Sequence, residues 1–158
     1  MTDLRWDEVD DLFDVDNGIL PDVAVPDTTP ADWQAVLDLI RSKGWAYQYS
    51  QDGRPCRMPS AERILDRDPD MGVDLKVWPV PDVLAIFRFY AAEEIDFDVD
   101  LRELQGQERL DALCAFFRAV GRRLHKPVVM SFEGRCGPMI GYDVDRDRVV
   151  RLANRKLG

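Results

Sequence analysis

Residues 93–100 read Glu-Glu-Ile-Asp-Phe-Asp-Val-Asp, five carboxylates in eight positions with apolar side chains between them. Such a run suits three jobs: holding a hard cation, meeting a basic partner, or wetting one side of a strand. A calcium loop of the EF-hand kind needs oxygen ligands at positions 1, 3 and 5, glycine at 6 and glutamate at 12. Counted from Asp96, the sixth residue is Leu101 and the twelfth is Gln107, so the turn residue and the bidentate ligand are both missing. The run from Asp143 to Arg148 puts Arg148 in the glycine position and fails likewise. Carboxylates two apart on one strand stand ~6.7 Å from each other, too far to converge on one ion. No metal is expected. Strand alternation instead sends Ile95, Phe97 and Val99 to one face and Asp96 and Asp98 to the other. Asp100 stands three residues before Glu103, a capping-box spacing.

Nucleophilic chemistry has few carriers. His125 is the only histidine, and Cys56, Cys114 and Cys136 form no CxxC pair. That excludes a zinc cluster at ligand spacing and makes reduced thiols the simplest account of an odd cysteine count. His125 falls at the end of a helical pattern, where it serves the carbonyl end. Cys114 falls on an inward helix face. Cys136, in a Gly-Arg-Cys-Gly-Pro turn, is the one thiol with prospects as a nucleophile, and only with His125 as base and Glu133 as orienter. No family signature supports that trio, so no catalytic residue and no cofactor is assigned.

Charge is unevenly placed. The chain of 158 residues has a net charge of −9; residues 1–30 hold nine acids and one base, and the rest is nearly neutral. A basic tail follows, with Arg146, Arg148, Arg151, Arg155 and Lys156. Phosphates would meet no sustained basic face with stacking aromatics, so nucleic acid is not expected as a partner. No apolar run approaches the ~20 residues of a membrane span, and the acidic N-terminus is the reverse of a secretory signal. A soluble, cytoplasmic protein is the expectation.

The elements that must position these residues follow from periodicity and capping. Thr29, Pro30 and Asp32 open a helix whose stripe is Trp33, Val36, Leu37 and Ile40, closed by Gly44. Trp45, Tyr47 and Tyr49 alternate as a strand, Asp52-Gly53 makes a hairpin turn, and Pro55 and Pro59 confine the return arm to a short edge piece. Ser60 caps one helical turn. Residues 73–78 form a strand. Residues 83–90, apolar except for Arg88, read as a central strand covered on both faces. Its hairpin with 94–99 is predicted to turn through Ala91-Ala92-Glu93, with Phe89 opposite Ile95, Phe87 opposite Phe97 and Arg88 opposite Asp96. The strongest helix spans 107–125, with Leu110, Leu113, Phe117, Val120 and Leu124 inward, and Pro127 stops it. Three short strands then close an antiparallel meander. The sum predicts an α+β fold: a two-layer sandwich, mainly antiparallel sheet with two main helices packed on one face.

The organisation expected is an acidic, partly ordered N-terminal segment, 1–28, before a single α+β domain, 29–158. Within the head, Trp6, Val9 and Phe13 share one helical face; residues 1–13 read as a free or partner-binding piece and Ile19 to Val25 as docked, with Arg148, Arg151 and Arg155 near enough to offset the charge. The functional expectation is a noncatalytic protein-binding domain for a basic protein partner, of the kind that neutralises a toxin as an immunity protein. Its contact residues would be Trp6, Asp10, Asp11 and Phe13 on the head and Glu93, Glu94, Asp96 and Asp98 on the strand. Two alternatives stand beside it. A secretion or assembly chaperone needs an apolar groove or dimer face built from Trp6, Trp45, Tyr47, Tyr49 and Trp78. A small enzyme would use carboxylates or Cys136 in a deep pocket. Composition sets no oligomeric state.

Overall fold

The computed structural model of the chain describes residues 2–154. The predicted α+β two-layer architecture is present. Among the described residues the four α-helices are α1 (Trp6–Val9), α2 (Pro30–Lys43), α3 (Ala61–Leu65) and α4 (Gln107–Leu124). The nine strands among them are β1 (Asp22–Pro26), β2 (Ala46–Gln51), β3 (Arg54–Pro55), β4 (Val73–Val80), β5 (Val83–Ala91), β6 (Glu94–Asp98), β7 (Val128–Ser131), β8 (Pro138–Asp143) and β9 (Arg148–Arg151). They form one sheet in the order β3-β2-β4-β5-β6-β1-β7-β8-β9, every pairing antiparallel. No helix among the described residues is long and apolar enough to cross a membrane.

Local signals set the helix ends. Thr29 Oγ1 accepts from the Asp32 N–H at 3.2 Å while Asp32 Oδ2 accepts from the Thr29 N–H at 3.1 Å, the reciprocal bonds of a capping box. Gly44 closes α2 in the left-handed region, at φ 68°. Trp33, Val36, Leu37 and Ile40 are fully buried, as their spacing requires. On α4 the predicted stripe is buried too, but it is wider: Phe116 joins it, packing against Trp45, Phe87 and Phe97 with ring centroids 5.1–6.2 Å apart.

The hairpin of β5 and β6 keeps Phe87 opposite Phe97 and Arg88 opposite Asp96, but the register shifts between Arg88 and Ala91. The turn is therefore Ala92-Glu93, two residues rather than three, with Ala91 opposite Glu94. The hairpin's end is held from outside: Thr28 Oγ1 donates to the Ala92 carbonyl at 2.7 Å and the Trp33 indole N–H to Ala91 at 3.0 Å. Asp100 caps a turn at Leu101–Glu103 by accepting from the Arg102 N–H, whereas Glu103 reaches the Leu84 N–H instead of returning to its own cap.

Two expectations need correction. The strand β5 is covered on one face only. Val83, Ala85, Phe87 and Phe89 are buried, Leu84, Ile86 and Arg88 are half-buried, and Tyr90 is 77% exposed. The long helices lie on a single side, so the apolar residues on the other side of β5 have no layer above them. The second correction concerns the head segment 1–13, whose described residues, 2–13, are not a free piece. Val9 and Phe13 are fully buried, and Leu4 and Leu12 nearly so. Gln107 on α4 donates to the Leu4 carbonyl and accepts from the Trp6 N–H, and Gln105 donates to the Phe13 carbonyl. An apolar stripe in an acidic head thus finds its cover on the same chain. Docking of the next stretch holds, since Val23 and Val25 are fully buried in β1 between β6 and β7. The boundary at residue 28 consequently falls just past a central strand. Arg151 offsets head charge as expected, Arg148 makes no ion pair with the head among the described residues, and Arg155 lies outside them.

Candidate protein-binding face

The face of the sheet opposite the helices is built from alternate residues of its strands. Register carries the acids of β6 into line with β1: Asp98 stands opposite Asp22, Asp96 opposite Ala24 and Glu94 opposite Pro26. On the other flank Ile86 stands opposite Asp98, and Lys76 lies beyond it opposite Ile86. Trp78, Leu84 and Ile86, all half-buried, and Tyr90 supply apolar surface beside the acids. Glu93, in the turn, is exposed at the rim.

These carboxylates are not bare. Arg88 Nε lies 3.1 Å from Asp98 Oδ2, with both side chains about one-third exposed. The ion pair runs along the diagonal rather than straight across to Asp96, which is within the reach of a long side chain. Glu94 and Asp96 are engaged as well. Like-charged residues opposite each other, as Asp22 and Asp98 are, destabilise a sheet unless cations or a partner compensate.

The head residues expected to share this role do other things. Phe13 is fully buried and Trp6 packs against it, ring centroids 5.5 Å apart. Asp11 holds Arg151 through two bonds of 2.8 and 2.9 Å, and that guanidinium keeps the Asp11 carboxyl below the usual carboxylate range. Asp10 is exposed. The structure therefore keeps Glu93, Glu94, Asp96 and Asp98 together, separates them from Trp6, Asp10, Asp11 and Phe13, and adds Asp22, Ile86 and Tyr90. Alternation along β5 placed Ile86 beside Arg88; nothing in the sequence told which face the helices would leave open.

Among the described residues no group of three or more His, Cys, Asp and Glu is placed to hold a metal ion. Cys136 lies in the β7–β8 turn, beyond Ser131, and His125 precedes the other end of β7. Four strand residues alone separate such positions by ~10 Å, so the proposed thiol–imidazole pair is not assembled. Cys114 is buried, which pushes its thiol up to about 12. A polar cluster joins α4 to the β8–β9 turn. Arg122 donates to both carboxylate oxygens of Asp147, at 2.7 and 2.9 Å, and the Tyr142 hydroxyl donates to Oδ1 at 2.5 Å. Those bonds, Arg122 first, hold Asp147 down at about 2, while burial and then the carboxylate raise Tyr142 to about 12. Neither group titrates near neutrality, and the cluster acts as a latch. Comparison of the chain with protein-family models, curated proteins and solved structures finds no match.

Proposed function

We propose that the protein is a noncatalytic, cytoplasmic binding domain that engages a basic partner protein through the open face of its sheet, and that its specific role is that of a toxin-neutralising immunity-type protein. One observation carries the reading: the side of the sheet away from the helices sets Asp22, Glu94, Asp96 and Asp98 beside the half-buried Trp78 and Ile86 and the exposed Tyr90. Aromatic and aliphatic anchors beside four acids that outnumber the neighbouring cations Arg88 and Lys76 are what a basic protein partner needs. The apolar groups supply desolvated contacts, and the acids steer encounter and reject wrong partners. A basic side chain from the partner would take over the role that Arg88 plays on Asp98. The row of acids favours this over a chaperone reading, in which the face would hold mainly apolar segments.

The test uses the full chain and the separately expressed product of the adjacent gene, with binding followed by calorimetry at two salt concentrations. Ile86→Glu and Asp22→Lys should each weaken binding by about tenfold or more, and salt should weaken the parent complex. Parental affinity in both variants, or an equal loss in Glu62→Lys on the exposed side of α3, would move the interface off this face.

A further inference from the structure

We infer that the free edge of β2 is a second binding site, one that takes an extended acidic peptide segment as an added strand beside Ala46–Gln48, with its carboxylates set against Arg41 and Arg57. This site lies at the rim of the sheet and does not depend on the open face. Three observations converge on it.

The first is an unfinished edge. The strand β3 pairs with β2 only at Ser50 with Pro55 and Gln51 with Arg54, followed by one bond from the Cys56 N–H to the Tyr49 carbonyl at 3.0 Å. Pro55 has no N–H to donate, and the chain then leaves for α3. In an antiparallel ladder the outward groups fall on alternate residues. Tyr49 points its carbonyl outward, so Tyr47 directs both its N–H and its C=O the same way, past the end of β3. Ala46, Tyr47 and Gln48 are all exposed.

The second is space. A cleft of about 670 Å³ lies between β2 and the segment 55–58, bordered by Arg41, Tyr47, Tyr49, Cys56, Arg57 and Met58. That volume is in the range of ligand sites, ~300–1,000 Å³.

The third is charge. Residues 41–58 carry four cations (Arg41, Lys43, Arg54, Arg57) against one acid, Asp52, in a chain of net −9. The Asp52 carboxylate is already engaged by the Gly72 N–H. Eight other arginines each lie on an aspartate (Arg5, Arg88, Arg102, Arg109, Arg118, Arg122, Arg146 and Arg151), while Arg63, Arg123 and Arg148, which have no such pair among the described residues, do not border this cleft. Among the described residues Arg41 reaches the Met58 carbonyl alone, at 3.5 Å, and neither Arg54 nor Arg57 is paired with a carboxylate. Unpaired cations in an acid-rich protein mark where an outside acid is accommodated. Two copies meeting edge to edge about a two-fold axis would bring the same cations together, which disfavours a homodimer here. Strand addition draws affinity from main-chain bonds and specificity from alternate side chains.

The test is titration of the full, isotope-labelled chain with a blocked heptapeptide of alternating valine and aspartate, its valine–lysine counterpart, and an acidic version N-methylated at alternate amides. The acidic peptide should shift amide resonances at residues 46–48 and 56–58, and the lysine peptide should not. Arg41→Glu with Arg57→Glu should weaken the acidic peptide at least tenfold, with circular dichroism unchanged. N-methylation should abolish the shifts. Equal binding of both charges, shifts elsewhere, retained binding by the N-methylated peptide, no binding at millimolar peptide, or a peptide-free dimer through β2 would each overturn the proposal.

Discussion

The two ends of the nine-stranded sheet are finished in opposite ways. At β9 the acidic head closes the edge. Asp3, its side chain only 8% exposed, accepts the Val149 N–H at 2.8 Å through one oxygen and holds Arg118 at 2.7 Å through the other. Arg151 is pinned by Asp11 and by the Glu8 carbonyl. An outward N–H that would template another strand is thus claimed by the chain's own carboxylate. At β2 the guard is a two-residue strand, and among the described residues Arg41, Arg54 and Arg57 have no acid of their own. The head has the greatest surplus of charge in the sequence, yet key acids in it are engaged internally. A modest basic excess at the other edge remains available. What a partner can use is set by which charges lack internal partners, and net charge along the chain is a poor guide to that.

Removing the guard should have the largest effect. Deleting residues 2–13 strips Leu4, Val9, Leu12 and Phe13 from the core and uncovers β9, so the shortened chain should unfold or aggregate. Phe13→Ala alone should cost about 3–5 kcal/mol, read from urea unfolding. A shortened chain with the parental midpoint would mean that the head merely rests on the domain. Next comes the lock behind the same edge. A Cβ on Gly121 would stand 2.1 Å from the Tyr142 ring, so Gly121→Ala must displace the ring and break the latch to Asp147. A loss of about 1–3 kcal/mol is expected, and an unchanged midpoint would show the β8–β9 side to be as loosely finished as β2.

The same comparison separates what was legible in the sequence from what was not. Caps and turns were legible because their causes are local: Thr29, Pro30 and Asp32 act within one turn, and Asp52 and Gly53, at φ 49° and 79°, make a two-residue hairpin by themselves. The pairing of Phe87 with Phe97 followed from alternation across a short hairpin. The place of β1 did not, since residues 22–26 find β6 and β7 only through contacts some 70 to 110 positions away. The stripe of Trp6, Val9 and Phe13 was visible, but its docking on α4 depends on Gln105 and Gln107, which have no signature. Half of the candidate face, Glu93 to Asp98, stood out as a run. Asp22, Ile86 and Tyr90 joined it only when register and helix placement had chosen a side.

Acid should expose the latch. The folded pKa of Asp147, about 2, lies below its ordinary 3.8, so its contribution is complete above the unfolded value and is lost as pH falls from about 4 toward 2. Asp11 shifts in the same direction through Arg151. Asp147→Asn should therefore flatten the acid limb of stability against pH, measured by thermal unfolding between pH 5 and pH 2 at low salt. A parental slope would show that neither Arg122 nor Tyr142 distinguishes the ionised carboxylate in the folded chain.

The smallest effect belongs to the other edge, and there a null result is the informative one. Arg57 is exposed and has no carboxylate partner among the described residues. Removing its side chain sacrifices no ion pair and opens no cavity, so Arg57→Ala should alter unfolding free energy by less than about 0.5 kcal/mol, the usual range for surface changes. Arg54→Ala, at the hairpin, should behave alike. Cations kept together without contributing to stability are consistent with service to something outside the chain. A loss above about 1 kcal/mol on Arg57→Ala would instead give the side chain an internal task, and the contrast between a guarded and an unguarded edge would fail at its second term.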